Sequence, residues 1–381
     1  MDFAWNEEQQ AFYKAVVEFA QKELNGDVIE RDYKEIFPRE LWRKCADFGI
    51  LGLPFPERYG GAEADVMTTM LTMEGLGYGS RDNGLIFAMN AQMWSVQMPI
   101  FTHGSEEQKE RYLPGLCSDA IIGAHGMSEP GSGSDAYNLR TRAERCDGGY
   151  LLNGTKTFVT NAPVADLALV FATVDPAKGM WGITAFLVER GAPGFTISKP
   201  MPKMGLRTAL MGELVFQDCF VPAENRLGPE GIGARIFNSS MEWERSCILA
   251  SHVGAMQRQL EAAIQYARER SQFGQPIGKF QSVANRIVDM KVRLETARLL
   301  LYKVAWLKQT GQPAVMEAAL AKLYLSECFV QSGLDAIRTH GGYGYMTEFE
   351  VERDLRDAIG GTLYSGTSDI QRTIIARLLG L

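Results

Sequence analysis

Glu244 is an acid set into the apolar stripe of a helical segment, and that is where chemistry is first legible. From Ile236 to Arg268 the sequence reads as one long helix. On a 3.6-residue period Phe237, Met241, Ile248 and Ala255 share a face, with Glu244 inside it. A carboxylate held there loses hydration, so its pKa rises toward the range useful for taking a proton. The plainer alternative is an ordinary glutamate held by Arg245 or reached by water, since ion pairs also perturb buried acids.

Four further stretches carry groups that could bind a ligand. In MSEPGSGSD (Met127 to Asp135), Gly131 and Gly133 let a ligand approach the backbone, and Ser128, Ser132 and Ser134 add hydroxyls. Such a loop can hold a polar ring edge or a pyrophosphate, or be no more than a Gly/Ser turn. It fits neither a P-loop nor a Rossmann fingerprint, and the GGYG at 341–344 follows a helix rather than a strand. NGTKTFVTNA (Asn153 to Ala162) places Phe158 and Thr160 on one side of a strand, where an aromatic and a hydroxyl can stack beside a planar cofactor and donate to it, or belong to an ordinary strand. ARERSQFGQPIGKFQ (Ala267 to Gln281) ends a helix on Arg268 and Arg270, which suits either dipole partners or a pyrophosphate clamp. LYSGTSDIQRTIIAR (Leu363 to Arg377) sets Ser365 or Thr367 as the cap of a final helix.

The elements that must position these groups fall into three regions. Helical periodicity dominates to about Leu116, with entry signals at Asn6–Gln9 and at Ser105. Short β-favouring runs follow at 167–174, 183–189, 195–198 and 212–221, separated by turn residues. Helix then returns near 234–268, 281–310, 313–341 and 351–379, which suits an antiparallel four-helix bundle. The expected class is α+β, with an N-terminal helical domain (1–118), a middle antiparallel β-domain (119–232) and a C-terminal bundle (233–381).

Composition narrows the function. The 381 residues are 46% hydrophobic and 22% charged, ample for a large core. A net charge of −7 argues against nucleic-acid or anionic-membrane binding. Six scattered cysteines without a CxxC pair suit reduced thiols, and four histidines without HExxH spacing indicate no metal site. The N-terminus, MDFAWNEEQQAF, reads as neither a secretory signal nor a transit peptide, and no apolar run approaches the ~18 residues of a membrane span. The expectation is a cytoplasmic protein.

In their order and spacing, MSEPGSGSD, NGTKTFVTNA, RERSQFGQPIGKFQ, THGGYGY and YSGTSDIQR resemble the acyl-CoA dehydrogenase family over essentially the whole chain. The resemblance implies that family's fold, with FAD between the domains, and a homotetramer in which a neighbouring subunit completes each FAD site. It implies that Ser128, with His125, Gly126, Met127 and Ser134 around it, holds the flavin ring. Thr160 would bond the reactive N5 edge, with Phe158 and Val159 alongside. Arg270, Phe273 and Gln281 would reach pyrophosphate and adenosine across the dimer. Arg338, Thr339, His340, Gly341 and Gly342, with Thr367 and Ser368, would complete the cofactor site. Ser134, Glu242 and Arg245 would lie along the thioester-bearing arm. Two residues depart from the common pattern. Arg338 stands where Gln is usual, and Ser365 stands where many members carry the catalytic Glu. A minority places the base on the long helix, followed directly by Arg, and Glu244–Arg245 in EWER matches that arrangement.

The implied reaction is α,β-dehydrogenation of an acyl thioester, with Glu244 removing the α-proton. The wording is most similar to the prolyl-carrier-protein oxidase or dehydrogenase branch of natural-product pathways, the cyanobacterial anatoxin-type enzyme included. This implies a prolyl group on an acyl or peptidyl carrier protein as substrate. A branched or other acyl-CoA is the nearest alternative. A flavin monooxygenase on the same fold, or a non-catalytic carrier-binding scaffold, is more distant. Oxygen and an electron-transfer flavoprotein both stay open as electron acceptor.

Overall fold

The computed structural model describes residues 5–381, so the leader reading of the N-terminus falls partly on Met1–Ala4, outside the described residues. Seven helices come first: α1 (Glu7–Glu23), α2 (Val28–Lys34), α3 (Arg39–Asp47), α4 (Val66–Gly79), α5 (Asn83–Gln92), α6 (Met98–His103) and α7 (Glu106–Cys117). Asn6 and Ser105 each cap their helix in a capping box with Gln9 and Gln108, as their spacing predicts. Between α5 and α6 the turn widens into a π-helical segment, Met93–Gln97, an insertion that re-aims side chains and recurs at functional sites.

Eight strands follow: β1 (Gly123–Gly126), β2 (Arg142–Cys146), β3 (Gly149–Thr160), β4 (Leu167–Thr173), β5 (Ile183–Glu189), β6 (Phe195–Ile197), β7 (Met211–Pro222) and β8 (Arg226–Leu227). They form one sheet in the order β6-β7-β3-β2-β4-β5-β8, with β1 paired to β4. The sheet is antiparallel along most of this path, but β1 and β2 join β4 in parallel, so it is mixed. The apolar runs in β4 and β5 are buried on both faces, and separate clusters of apolar residues cover the two sides.

The returning helices are α8 (Gly233–Cys247), α9 (Ala250–Glu269), α10 (Gln281–Gln309), α11 (Val315–His340), α12 (Val351–Gly361) and α13 (Ser368–Leu378), with a two-residue hairpin of β9 (Ser271–Gln272) and β10 (Gln275–Pro276) after α9. Two of the expected single helices are therefore split. The 236–268 segment breaks at Ile248–Leu249, where the His252 N–H turns back to the Leu249 carbonyl at 3.0 Å. The break lets α8 pack against the π segment, α6 and β5 while α9 joins α4, α10 and α11. The 351–379 segment opens at 362–367 into a loop holding Ser365 (φ 55°) and Gly366 (φ 85°).

Helices from both ends of the chain share one core, from Val16 on α1 to Ala358 on α12. The tightest seam is α4 on α9. A Cβ at Gly77 would lie 1.9 Å from the Ser251 carbonyl oxygen, and one at Gly254 1.9 Å from that of Glu74. Only glycine allows this approach. It fixes α9, and through the short break α8, against the N-terminal helices.

Candidate active site

Glu244 lies on the inner face of α8, 7% exposed. Its Oε1 accepts a hydrogen bond from the Ser365 hydroxyl and its Oε2 one from Ser95. Ser95 comes from the π segment and Ser365 from the loop between α12 and α13, so three distant stretches meet on one carboxylate. Burial pushes the Glu244 pKa up, while the two serine donors and the positive charges of Arg245 and Lys322 pull against it. A carboxylate so placed is desolvated, oriented and able to take a proton.

Arg245 makes no ion pair with Glu244; its Nε donates to the Ser365 carbonyl at 3.1 Å. Gln371, fully buried on α13, donates to the carbonyls of Ser365 (3.1 Å) and Gly366 (2.9 Å). These bonds hold the loop in its left-handed turn and aim the Ser365 hydroxyl at the acid. The cap of α13 is Thr367, whose Oγ1 accepts from the Ile370 N–H at 3.2 Å, which leaves Ser365 free for Glu244. Ser368 donates to Glu327 at 2.6 Å. Glu242 is paired through Oε1 with Lys308 at 2.8 Å, and the Lys308 ammonium sits 4.0 Å over the Trp243 ring. Trp243 in turn stacks on Trp94 with ring centroids 5.9 Å apart.

A second group of expected residues gathers on β1, the following loop and β3. The 127–135 loop is pinned from below by a buried ion pair, Lys156 to Glu129 at 2.7 Å, that the sequence reading did not single out. The Lys156 ammonium also reaches the Met127 carbonyl at 3.1 Å, and Glu129 accepts from the Arg140 N–H (2.6 Å) and the Thr141 N–H (3.0 Å). Burial brings Lys156 down to about 8; Glu129, which burial alone would raise, is held below its usual value by the lysine and these donors. The Thr157 N–H bonds the Ser128 carbonyl at 2.9 Å, tying the loop to β3.

Directly beyond, Thr157 and Phe158 together oppose Glu213, because Lys156 faces Leu214 and Val159 faces Gly212. This bulge takes Phe158 to a φ of 55°, leaves its ring 63% exposed, and interrupts the expected strand alternation. Phe158 and Thr160 still share the open side, with Val159 buried between them. His125 stacks on Phe237 at 5.9 Å, and burial together with the Lys156 charge depresses it to about 4, so it is neutral at pH 7. Gly126 and Met127 are buried, Ser128 is half-buried and Ser134 is exposed. Ser132, expected as a ligand donor, instead gives its hydroxyl to the Asp135 carbonyl at 2.6 Å.

A third group lines an open pocket of about 450 Å³ in which Arg270 faces Thr339, His340, Gly341 and Gly342. Arg270 has no carboxylate partner among the described residues, and its guanidinium lies 5.7 Å from the Tyr343 ring. The Thr339 hydroxyl and the His340 ring are held by the Asp335 and Ala336 carbonyls, at 2.7 and 2.8 Å. Arg338 turns outward, 3.6 Å from Asp335. Phe273 and Gly274 both have positive φ at the tip of the β9–β10 hairpin, the geometry of a two-residue turn, and the Phe273 ring projects 94% exposed. Gln281 is exposed at the start of α10. None of the 125–160 residues lines this pocket, so within one chain the second and third groups remain separate clusters. An unpaired guanidinium beside glycines suits an anionic pyrophosphate, and an exposed aromatic on a bulge suits a planar ring, so the residues present fit a flavin dinucleotide.

With this geometry in place, the family follows. The chain matches the acyl-CoA dehydrogenase N-terminal domain over residues 6–120, the middle domain over 124–219 and the C-terminal domain over 231–380. It belongs to the acyl-CoA dehydrogenase family and has that family's fold. Among curated relatives, an L-prolyl-[peptidyl-carrier protein] dehydrogenase of a Serratia species is 44% identical over 381 residues, covering 100% of this chain and 99% of the relative. Among solved structures, the prolyl acyl carrier protein oxidase AnaB is 55% identical with a TM-score of 0.98, covering 99% of this chain and 100% of that one. PigA, solved with FAD and proline, is 44% identical with a TM-score of 0.98 and full coverage of both chains.

Among the described residues no helix is long and apolar enough to cross a membrane, and no group of His, Cys, Asp and Glu could hold a metal ion.

Proposed function

We propose that this chain is an FAD-dependent dehydrogenase that oxidises the α,β-bond of a thioester-bound acyl group, the favoured cargo being a prolyl group on an acyl or peptidyl carrier protein. The observation that carries the chemistry is Glu244, buried, raised in pKa and held by one serine on each oxygen. Full-length similarity to two prolyl-carrier-protein enzymes supports the choice of cargo.

A thioester carbonyl acidifies its α-proton, and Glu244 is the group that takes it. Ser95 and Ser365 fix the direction of its lone pairs, and Arg245 and Gln371 keep Ser365 in position. Bound FAD supplies the oxidising power by accepting the β-hydride. The Met127–Ser134 loop with Phe158, Val159 and Thr160 would hold its ring, and Arg270 with the 338–342 segment its pyrophosphate. Phe273 and Gln281 stand exposed where a neighbouring subunit would meet them, which supports a homotetramer with shared FAD sites. Oxygen or an electron-transfer flavoprotein reoxidises the enzyme.

The test is anaerobic flavin reduction by stopped flow, with prolyl-carrier protein set against a panel of acyl-CoA thioesters. Prolyl-carrier protein should bleach the flavin fastest. In Glu244→Gln the rate should fall by about 10²–10⁴-fold, the usual contribution of a general base, with FAD retained. Bleaching by a branched or fatty acyl-CoA and none by prolyl-carrier protein would replace the proposed substrate. A wild-type rate in Glu244→Gln would remove it as the base.

A further inference from the structure

Lys322 lies in the first third of α11 with its whole side chain buried, 0% exposed, and its Nζ has no hydrogen-bond partner among the described residues. A buried ammonium without a partner is costly, and such a cost is ordinarily relieved by an ion pair or by replacing the lysine. The surroundings offer little relief. From α8, Arg245 repels it and Glu244 attracts it; from its own helix, Glu327 attracts it. Glu327 is exposed and already accepts from Ser368, so the one buried carboxylate acting on Lys322 is Glu244. From α9, His252 is neutral, since burial and the Lys322 charge push its pKa down to about 3. Its Nε2 is engaged by the Tyr364 hydroxyl at 3.0 Å, and burial with the nearby Glu244 charge keeps Tyr364 protonated. Burial lowers Lys322 to about 8, so it still carries its charge at neutral pH.

We propose that Lys322 is a positioning residue for the reaction: its buried positive charge, held back from direct contact, keeps Glu244 ionised and ready to accept a proton. The distance matters. A lysine bonded to Glu244 would hold the carboxylate too firmly for a base and would occupy a lone pair that must meet the substrate. A charge acting through the interior stabilises the anion and leaves both oxygens to the two serines and the α-proton. The Arg245 charge acts on Glu244 as well, but Arg245 also holds the Ser365 carbonyl, whereas Lys322 Nζ has no hydrogen-bond partner among the described residues.

The inference rests on Glu244 as the base, and its test is chosen to separate the two. The protonated Glu244 carboxyl is followed by infrared titration of the flavin-loaded protein, its band identified by loss in Glu244→Gln. In Lys322→Met and Lys322→Gln the Glu244 pKa should rise by on the order of one pH unit, and the acid limb of the flavin-reduction rate should rise with it. Lys322→Arg, which keeps the charge, should titrate close to wild type. An unmoved Glu244 titration in either neutral variant overturns the proposal. So does failure of both neutral variants to accumulate as holoenzyme, which would mark the lysine as a structural cation. If instead Glu244→Gln reduces flavin normally, the base assignment fails while the titration shift can still be read.

Discussion

Removing the Ser365 hydroxyl tests how far the base depends on its two supports. Ser365→Ala leaves the loop backbone in place, since Arg245 and Gln371 hold its carbonyl and not its side chain. What is lost is one of two hydrogen bonds to a buried carboxylate. A hydrogen bond to a charged group contributes about 1.5–3 kcal/mol, which corresponds to about 10- to 100-fold in the ratio of ionised to protonated Glu244. Protonation removes the base, so activity is lost as pH falls through the Glu244 pKa. In Ser365→Ala that loss begins at higher pH. Below it, flavin reduction should be about 10- to 100-fold slower than wild type at the same pH, converging on the wild-type rate once Glu244 is ionised in both. Ser95→Ala should behave alike, because it removes the donor to the other oxygen. Both variants should be milder than Glu244→Gln, which stays slow at every pH. The assay is anaerobic stopped-flow reduction across pH 5 to 9 at matched FAD content. If both serine variants follow the wild-type pH profile, the hydroxyls do not support the anion and the reasoning fails.

Other perturbations probe the remaining contacts. Arg270→Ala should weaken FAD binding by about 1.5–3 kcal/mol through loss of a charge-assisted pyrophosphate contact; unchanged flavin affinity by equilibrium dialysis would remove Arg270 from the site. Lys156→Met strands the buried Glu129 carboxylate and should cost about 3–5 kcal/mol in denaturant unfolding, with part recovered when Glu129→Gln is added; no recovery in the double variant would contradict the pairing. Glu244→Gln should make the fold more stable at neutral pH, because a buried acid with a raised pKa is penalised when charged. That penalty is absent below the unfolded value near 4.5 and complete above the folded one, so the gain should vanish on acidification; a gain constant with pH would argue against it.

The sequence showed Glu244 because an acid interrupting an apolar stripe breaks a local rule, and such breaks concentrate at functional sites. It did not show Ser95, which lies 149 residues away on a stretch that reads as ordinary buried helix. The π insertion that re-aims it leaves no mark on apolar periodicity. The break at Ile248–Leu249 was equally silent: no proline, glycine or capping residue marks it, and packing on two different layers imposes the bend. By contrast, the loop around Ser365 was marked in part: Ser365 and Thr367 read as cap candidates for a final helix, and Thr367 is that cap, although 351–379 still read as one helical run. Lys156 and Glu129 sat inside two motifs already marked, but a lysine in a strand reads as a solvent-facing residue until its partner across the fold is known. The third group was legible only as a set of residues. The structure adds that Phe273 is thrust outward by a turn in which both central residues have positive φ.

Ser365 is the residue at which pattern and geometry correct each other. Read along the sequence, it is a loss: a small hydroxyl where many members of the family carry the acid. In the structure its Oγ donates to the carboxylate of Glu244, the proposed base on α8. The loop and the helix therefore reach the same point from opposite sides, and an acid on either would deliver a carboxylate to one place. Acids on both would set two carboxylates within hydrogen-bond distance in a buried site, where they cannot both ionise and one would hold its proton. With the acid on α8, the loop position needs a group that is small, uncharged and able to donate. Serine meets all three conditions, and alanine or glycine would fail the last. The second donor, Ser95, meets the same need for the other oxygen from the π segment. On the proposed assignment, a base on the helix thus involves more than one position: it goes with a donor on the loop, a donor on the facing helix, and positive charge nearby that favours the ionised form of a buried acid.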